Sequence, residues 1–204
     1  MAVTEEIPSA SPIPGVAWSS LVRHEDERGS FRELWRARAF DALDPALAGI
    51  SRGSATFVQS NLSVSAQGVL RGLHLHLHQL DHWIVASGVA FVALVDVRPM
   101  LAGAAAPIVD ARLVPADTTV SIPTGVAHGF LAVERLELVY FVTNEYDGAD
   151  ELGFAWDDPV AGVPWPKVPG TLAGLPILSD RDRHNPALMR LVERITEMER
   201  APGG

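Results

Sequence analysis

Histidine alternates with leucine through Leu73-His74-Leu75-His76-Leu77-His78, and His82 follows four residues on. Four of the chain's seven histidines therefore fall within nine positions. On an extended strand successive side chains face opposite sides. His74, His76 and His78 are expected on one face and the leucines on the other. Leucines packed against a second layer leave the imidazoles facing a barrel lumen. The plainer alternative is a polar strand facing water, and the apolar segments around it argue against that. Imidazole titrates near neutrality and ligates metals, so the chemistry expected here is proton transfer or metal binding. Other chemistries are closed: there is no cysteine, hence no thiolate catalysis or disulfide. Lys167, the only lysine, lies among Pro164, Pro166 and Pro169, a poor setting for a catalytic amine.

The elements that position these histidines read as mainly β. Short apolar or alternating runs recur along the chain: Val16–His24, Ser30–Trp35, Phe57–Ser65, Leu70–His78, Trp83–Ala86, Val89–Val97, Pro107–Val114, Thr118–Ile122, Ala127–Val133 and Leu136–Asn144. Turn signals such as Ala66-Gln67-Gly68, Ser87-Gly88 and Pro123-Thr124-Gly125 separate many of them. Many short strands at this spacing predict a β-sandwich or barrel. Val89–Val97 is nearly continuously apolar, as expected for a strand covered on both faces. Arg36–Leu47 reads as a short peripheral helix. Asn185-Pro186 reads as a helix N-cap opening an amphipathic helix over 185–200, with Leu188, Leu191, Val192, Ile195 and Met198 on its apolar face. The expectation is one domain over 1–204, with 1–14 a loose arm. A net charge of −9 argues against nucleic-acid binding. No apolar run reaches membrane-spanning length, and the acidic N-terminus does not read as a signal peptide. The cytoplasm is the expected location.

Several motifs occur in a fixed order: Asp26-Glu27-Arg28-Gly29-Ser30-Phe31-Arg32-Glu33, Phe57-Val58-Gln59-Ser60-Asn61, Leu70-Arg71-Gly72-Leu73-His74, Asp96-Val97-Arg98, Pro123-Thr124-Gly125-Val126-Ala127-His128, Tyr140 to Tyr146, Trp156-Asp157-Asp158-Pro159 and Leu178-Ser179-Asp180-Arg181-Asp182. As a set they resemble the dTDP-4-dehydrorhamnose 3,5-epimerase family over roughly residues 16–182. The resemblance implies a cupin-type jelly-roll β-barrel, usually a homodimer, and a dTDP-4-keto-6-deoxyhexose substrate. It implies proton abstraction at C3 and/or C5, passage through an enolate, and reprotonation from the other face. On this resemblance His74 is the base, Asp182 its orienting carboxylate and Tyr140 the general acid. Arg28 and Arg71 match diphosphate-binding positions, an arginine fork being suited to phosphate. Glu33, Gln59, Asn61 and Tyr146 match positions near the nucleotide and sugar, and His128 is expected to line the lumen.

The chain also departs from the family pattern. A lysine near the developing enolate is replaced at about Asp81, a glutamine two after the base becomes His76, and an aspartate becomes Val92. Enolate stabilisation needs positive charge or hydrogen-bond donors, and His76 is the expected replacement donor, with no cofactor. One alternative is a metal-dependent cupin isomerase or oxygenase holding Zn²⁺ or Fe²⁺ through His74, His76, His82 and His128, with His78 and Asp81 as further candidate ligands. Another is a non-catalytic sugar-nucleotide-binding protein.

Overall fold

The structure, a computed structural model, describes residues 10–36, 57–148, 150–167 and 174–200. Twelve strands are described: β1 (Ala17–Ser20), β2 (Arg23–Asp26), β3 (Gly29–Arg32), β4 (Gln59–Ser65), β5 (Leu70–Leu75), β6 (Asp81–Ser87), β7 (Val89–Asp96), β8 (Ile108–Pro115), β9 (Thr118–Ile122), β10 (Val126–Ala132), β11 (Leu136–Val142) and β12 (Leu152–Gly153). Three helices accompany them: α1 (Arg98–Leu101), α2 (Asp180–His184) and α3 (Leu188–Arg200). One five-stranded sheet runs β1-β9-β6-β11-β4 and the other β12-β5-β10-β7-β8, with β2 and β3 forming a separate hairpin. This is the jelly-roll architecture of the cupins. Among the described residues no helix is long and apolar enough to cross a membrane.

Alternation along the strands divides the core. Val92 and Leu94 of β7 pack with Trp18, Trp83, Val85, Phe130 and Leu138 in one buried cluster. Ala93 and Val95, from the opposite face of the same strand, join Leu73, Leu75 and Ala127 beneath Leu188, Leu191, Val192 and Ile195 of α3. So β7 is covered on both faces, as its apolar run predicts, and the second layer behind the β5 leucines is the C-terminal helix.

Four differences from the sequence expectation have local causes. The run Val16–His24 splits into β1, which pairs with β9, and β2, which turns away to pair with β3. The C-terminal helix begins at Leu188, because Asn185 ends the unanticipated α2. The buried Asp158 carboxylate instead accepts the Leu188 N–H at 2.9 Å, which assigns the Trp156-Asp157-Asp158-Pro159 motif a structural duty. Met198, expected on the apolar face, is half exposed near the end of the helix. Finally, the described end of the N-terminal arm is pinned rather than loose. Ile13 is buried, and the Ala10 and Pro14 carbonyls accept from Arg112 and Arg98. The helix expected at Arg36–Leu47 lies, apart from Arg36, outside the described residues.

Strand β5 meets β10 with His74 opposite His128 and Arg71 opposite Phe130, so the ladder skips one residue between them. Two glycines make that close approach possible. A Cβ on Gly72 would sit 2.6 Å from the Gly129 Cα, and one on Gly129 would sit 2.8 Å from the Arg71 carbonyl oxygen. Gly72 also has φ of 126°, a region side-chain-bearing residues rarely occupy. The Arg-Gly-Leu-His and His-Gly motifs thus fit one another across the ladder.

Candidate active site

A cavity of about 600 Å³ opens between the two sheets. His74 enters it from β5, and His128 is its cross-strand neighbour on β10. The facing sheet supplies Tyr140 from β11, Asp81 and Trp83 from β6, and Gln59 and Asn61 from β4. The register explains this grouping: Tyr140 pairs with both Trp83 and Asn61, and Val142 with both Asp81 and Gln59. Directly paired residues share a face, so each pairing carries the lumen-facing set from one strand to the next.

His74 Nε2 lies 2.7 Å from Asp182 Oδ1. A carboxylate only accepts, so Nε2 carries the hydrogen and Nδ1 is the basic nitrogen. Asp182 is almost fully buried, and its position is set by α2. Ser179 caps that helix by accepting the Asp182 N–H at 3.1 Å, and its hydroxyl donates to Asp182 Oδ2 at 2.8 Å. The Ser-x-x-Asp spacing is a variant of the capping box, which locks the carboxylate toward His74. Burial by itself raises the Asp182 pKa, but hydrogen bonds from His74 and Ser179 and the charges of His74 and Arg181 outweigh it. The net result is a carboxyl held below its ordinary value. Tyr140 shifts the other way: burial first, then the Asp81 and Glu151 charges, raise its phenol above its ordinary value, with Arg71 opposing. At neutral pH it is a protonated donor.

The remaining histidines separate. Strand β5 ends at Leu75, and the alternation does not carry His78 into the lumen: His78 is exposed, with its N–H on Asp150. His76 does line the cavity. Its Nδ1 lies 2.5 Å from the Asp150 carbonyl oxygen, which can only accept, so the single N–H of the neutral ring is directed there. In the neutral ring this leaves Nε2 without a hydrogen, so the donor role expected of His76 toward an enolate requires the ring that carries hydrogen on both nitrogens. His128 is buried, and its Nδ1 likewise faces a carbonyl, that of Val126, at 3.1 Å. Burial lowers its pKa to about 4, with nearby His76 and His74 adding to the effect and Asp81 opposing it. His82 points to the other side of β6, between Phe57 and Phe141, with Nδ1 2.9 Å from Ser121 Oγ. Neither His82 nor His78 belongs to a lumen cluster, so the metal set expected from histidine spacing is not assembled. The set that converges is His76, Asp81 and His128, whose ligand atoms lie within 4.8 Å of one another.

Of the expected binding residues, Arg71, Gln59 and Asn61 line the cavity, and Tyr146 joins them although most of its surface is exposed. Gln59 Oε1 accepts the Tyr146 N–H at 3.0 Å, tying the loop after β11 to β4. Arg28 and Glu33 are not among the residues lining this cavity. Arg28 is 85% exposed at the tip of the β2–β3 hairpin and pairs with Asp26, and Glu33 pairs with Arg36. Arg181 lines the cavity from α2, paired with Glu151, and was not singled out from sequence. Its signal is its place between Ser179 and Asp182, one residue from the carboxylate that holds His74.

Comparison with known proteins agrees with this geometry. The family model described as dTDP-4-dehydrorhamnose 3,5-epimerase matches residues 10–190. A dTDP-4-dehydrorhamnose 3,5-epimerase of Mycobacterium tuberculosis is 34% identical over 182 residues, 86% of this chain and 84% of that protein. A solved structure of an M. tuberculosis rmlC epimerase superposes with a TM-score of 0.75 at 32% identity, covering 93% of this chain and 90% of that one. ChmJ, a 3'-monoepimerase from Streptomyces bikiniensis solved with dTDP-quinovose, gives 0.74 at 27% identity, covering 91% and 89%. With the histidine–aspartate pair facing a tyrosine across a jelly-roll lumen, and with a match spanning nearly the whole chain, this protein belongs to the dTDP-4-dehydrorhamnose 3,5-epimerase family of isomerases.

Proposed function

We propose that this epimerase acts on a dTDP-4-keto-6-deoxyhexose, inverting C3, C5 or both, in the making of deoxysugars. The observation that carries the reading is the placement of His74, backed by buried Asp182, on one sheet and Tyr140 on the sheet facing it. A 4-keto group acidifies the hydrogens on C3 and C5. His74 Nδ1 takes one of them, and Asp182 steadies the imidazolium that results. Tyr140, kept protonated by its surroundings, returns a proton from the opposite face. Arg71 and Arg181 at the cavity suit the diphosphate, and Tyr146 and Asn61 suit the nucleoside and sugar. The names of the relatives, one of them solved with a dTDP sugar, support the ligand class.

The reading extends to a cytoplasmic homodimer without nucleic-acid or membrane partners. Support for self-association comes from Leu62 and Val64, exposed on the edge strand β4 where they also border the cavity, and from exposed Phe31 on the hairpin. The test of the reaction is incubation with dTDP-4-keto-6-deoxyglucose in D₂O, followed by NMR. Deuterium at C3, C5 or both, with inversion, is expected. No incorporation at either carbon overturns the reading.

A further inference from the structure

We propose that His76, Asp81 and His128 form a binding site for a divalent transition-metal ion of the Zn²⁺ or Fe²⁺ class. The case rests on where the hydrogens are. His76 Nδ1 faces the Asp150 carbonyl and His128 Nδ1 faces the Val126 carbonyl. A carbonyl cannot donate, so both rings carry hydrogen on Nδ1, and in the neutral form of each ring Nε2 is a bare lone pair. The third group, Asp81, is a carboxylate that only accepts. All three are buried and line the same cavity, and their ligand atoms lie within 4.8 Å of one another. Three converging acceptors without a donor between them are mutually repulsive, and a cation is what resolves the repulsion.

The surrounding contacts are those a metal site needs. Ligating histidines almost always give the other ring N–H to a carbonyl or carboxylate, which fixes tautomer and orientation. Here both do. The carboxylate is also held: Trp83 Nε1 donates to Asp81 Oδ2 at 3.0 Å and Gln79 Nε2 to Oδ1 at 2.8 Å. Two ligands at about 2.1 Å from one ion stand about 3.0–3.4 Å apart. His128 Nε2 and Asp81 Oδ2 are already 3.7 Å apart, so a small inward shift closes that edge. Two imidazoles and one carboxylate, with the cavity side open, match the donor sets of catalytic zinc and non-haem iron. They do not suit Mg²⁺ or Ca²⁺, which favour all-oxygen shells. An ion here adds positive charge to the cavity wall, where an enolate oxygen requires it. That role rests on the epimerase reading, whereas the site itself does not.

The test uses the full chain without a histidine tag, stripped by a strong chelator. Calorimetric titration with Zn²⁺ is expected to give one ion per chain, and Co²⁺ to give visible absorption bands of a protein-bound ion. Asp81→Asn and His128→Gln should each weaken binding at least about 100-fold, since even partners of ligands contribute 10–100-fold. His78→Ala should bind as the parent does. Asp81→Asn keeps the shape of the side chain, so it decides the matter even where His128→Gln does not fold. Absence of one-to-one binding in the parent overturns the site, as does undiminished binding by folded Asp81→Asn. Deuterium exchange measured on the same samples separates the two readings. Metal binding without exchange removes the epimerase reading and leaves the site, and exchange without metal binding does the reverse.

Discussion

In the proposed reaction His74 owes its role to a bond made at its other ring nitrogen. With Nε2–H held by Asp182, Nδ1 is the nitrogen left to accept a proton. His74→Ala should therefore lower solvent deuterium exchange at the sugar carbons by about 10²–10⁴-fold, with dTDP affinity close to that of the parent. Tyr140→Phe separates the two halves of the reaction: wash-in of deuterium by His74 should persist while inversion falls, as NMR of the recovered sugar will show. Asp182 also links stability to pH. Its folded pKa is depressed, so its stabilisation is fully present above the unfolded carboxyl value of about 3.9 and is lost as pH falls through the lower folded value. Asp182→Asn should lower Tm at pH 7, and the gap to the parent should narrow between pH 4 and pH 3. A constant gap across that range means the carboxylate charge contributes nothing.

At the scale of elements, the site depends on how closely β5 lies against β10 and on what stands behind β5. Gly72→Ala places a methyl group into the Gly129 backbone at a φ unsuited to alanine. The expected cost exceeds about 1 kcal/mol, with His74 displaced from its place opposite His128. Behind the strand, α3 seals Leu73 and Leu75 from water. Leu191→Ala should cost about 2–5 kcal/mol in denaturant unfolding, even though Leu191 is outside the cavity lining. The cavity and its backing are thus coupled through a single strand, whose leucines hold the helix while His74 faces the cavity. The same alternation in β7 places Val92 and Leu94 toward the lumen core and Ala93 and Val95 toward α3.

At the scale of the molecule, the edge strand β4 leaves Leu62 and Val64 exposed beside the cavity. Sedimentation analysis is expected to give two chains per particle, and Leu62→Arg with Val64→Arg to shift it toward one. Much of the architecture was readable beforehand, because strand alternation, turn glycines and the 3.6-residue rhythm of Leu188, Leu191, Val192 and Ile195 are local properties of the chain. His74, Tyr140, Asp182, Arg71, Gln59 and Asn61 were recognisable as a motif set, and the structure brings all six around the same space. Where β5 stops was not readable. His76 and His78 continue the same alternating pattern, yet the backbone turns onto Asp150 after Leu75, so one stays in the lumen and the other leaves it. Nor could spacing reveal that β6 begins at Asp81 and turns Asp81 rather than His82 toward the lumen, since which face is inward depends on the register of β6 against β9 and β11. The hydrogen positions on His76 and His128 were equally hidden. They are set by the carbonyls of Asp150 and Val126, the former 74 residues away in the chain. The sequence by itself determined which side chains were at hand and the period of each strand. Only the tertiary structure decided which lone pairs face one another, because that follows from long-range register and from which carbonyl each ring meets.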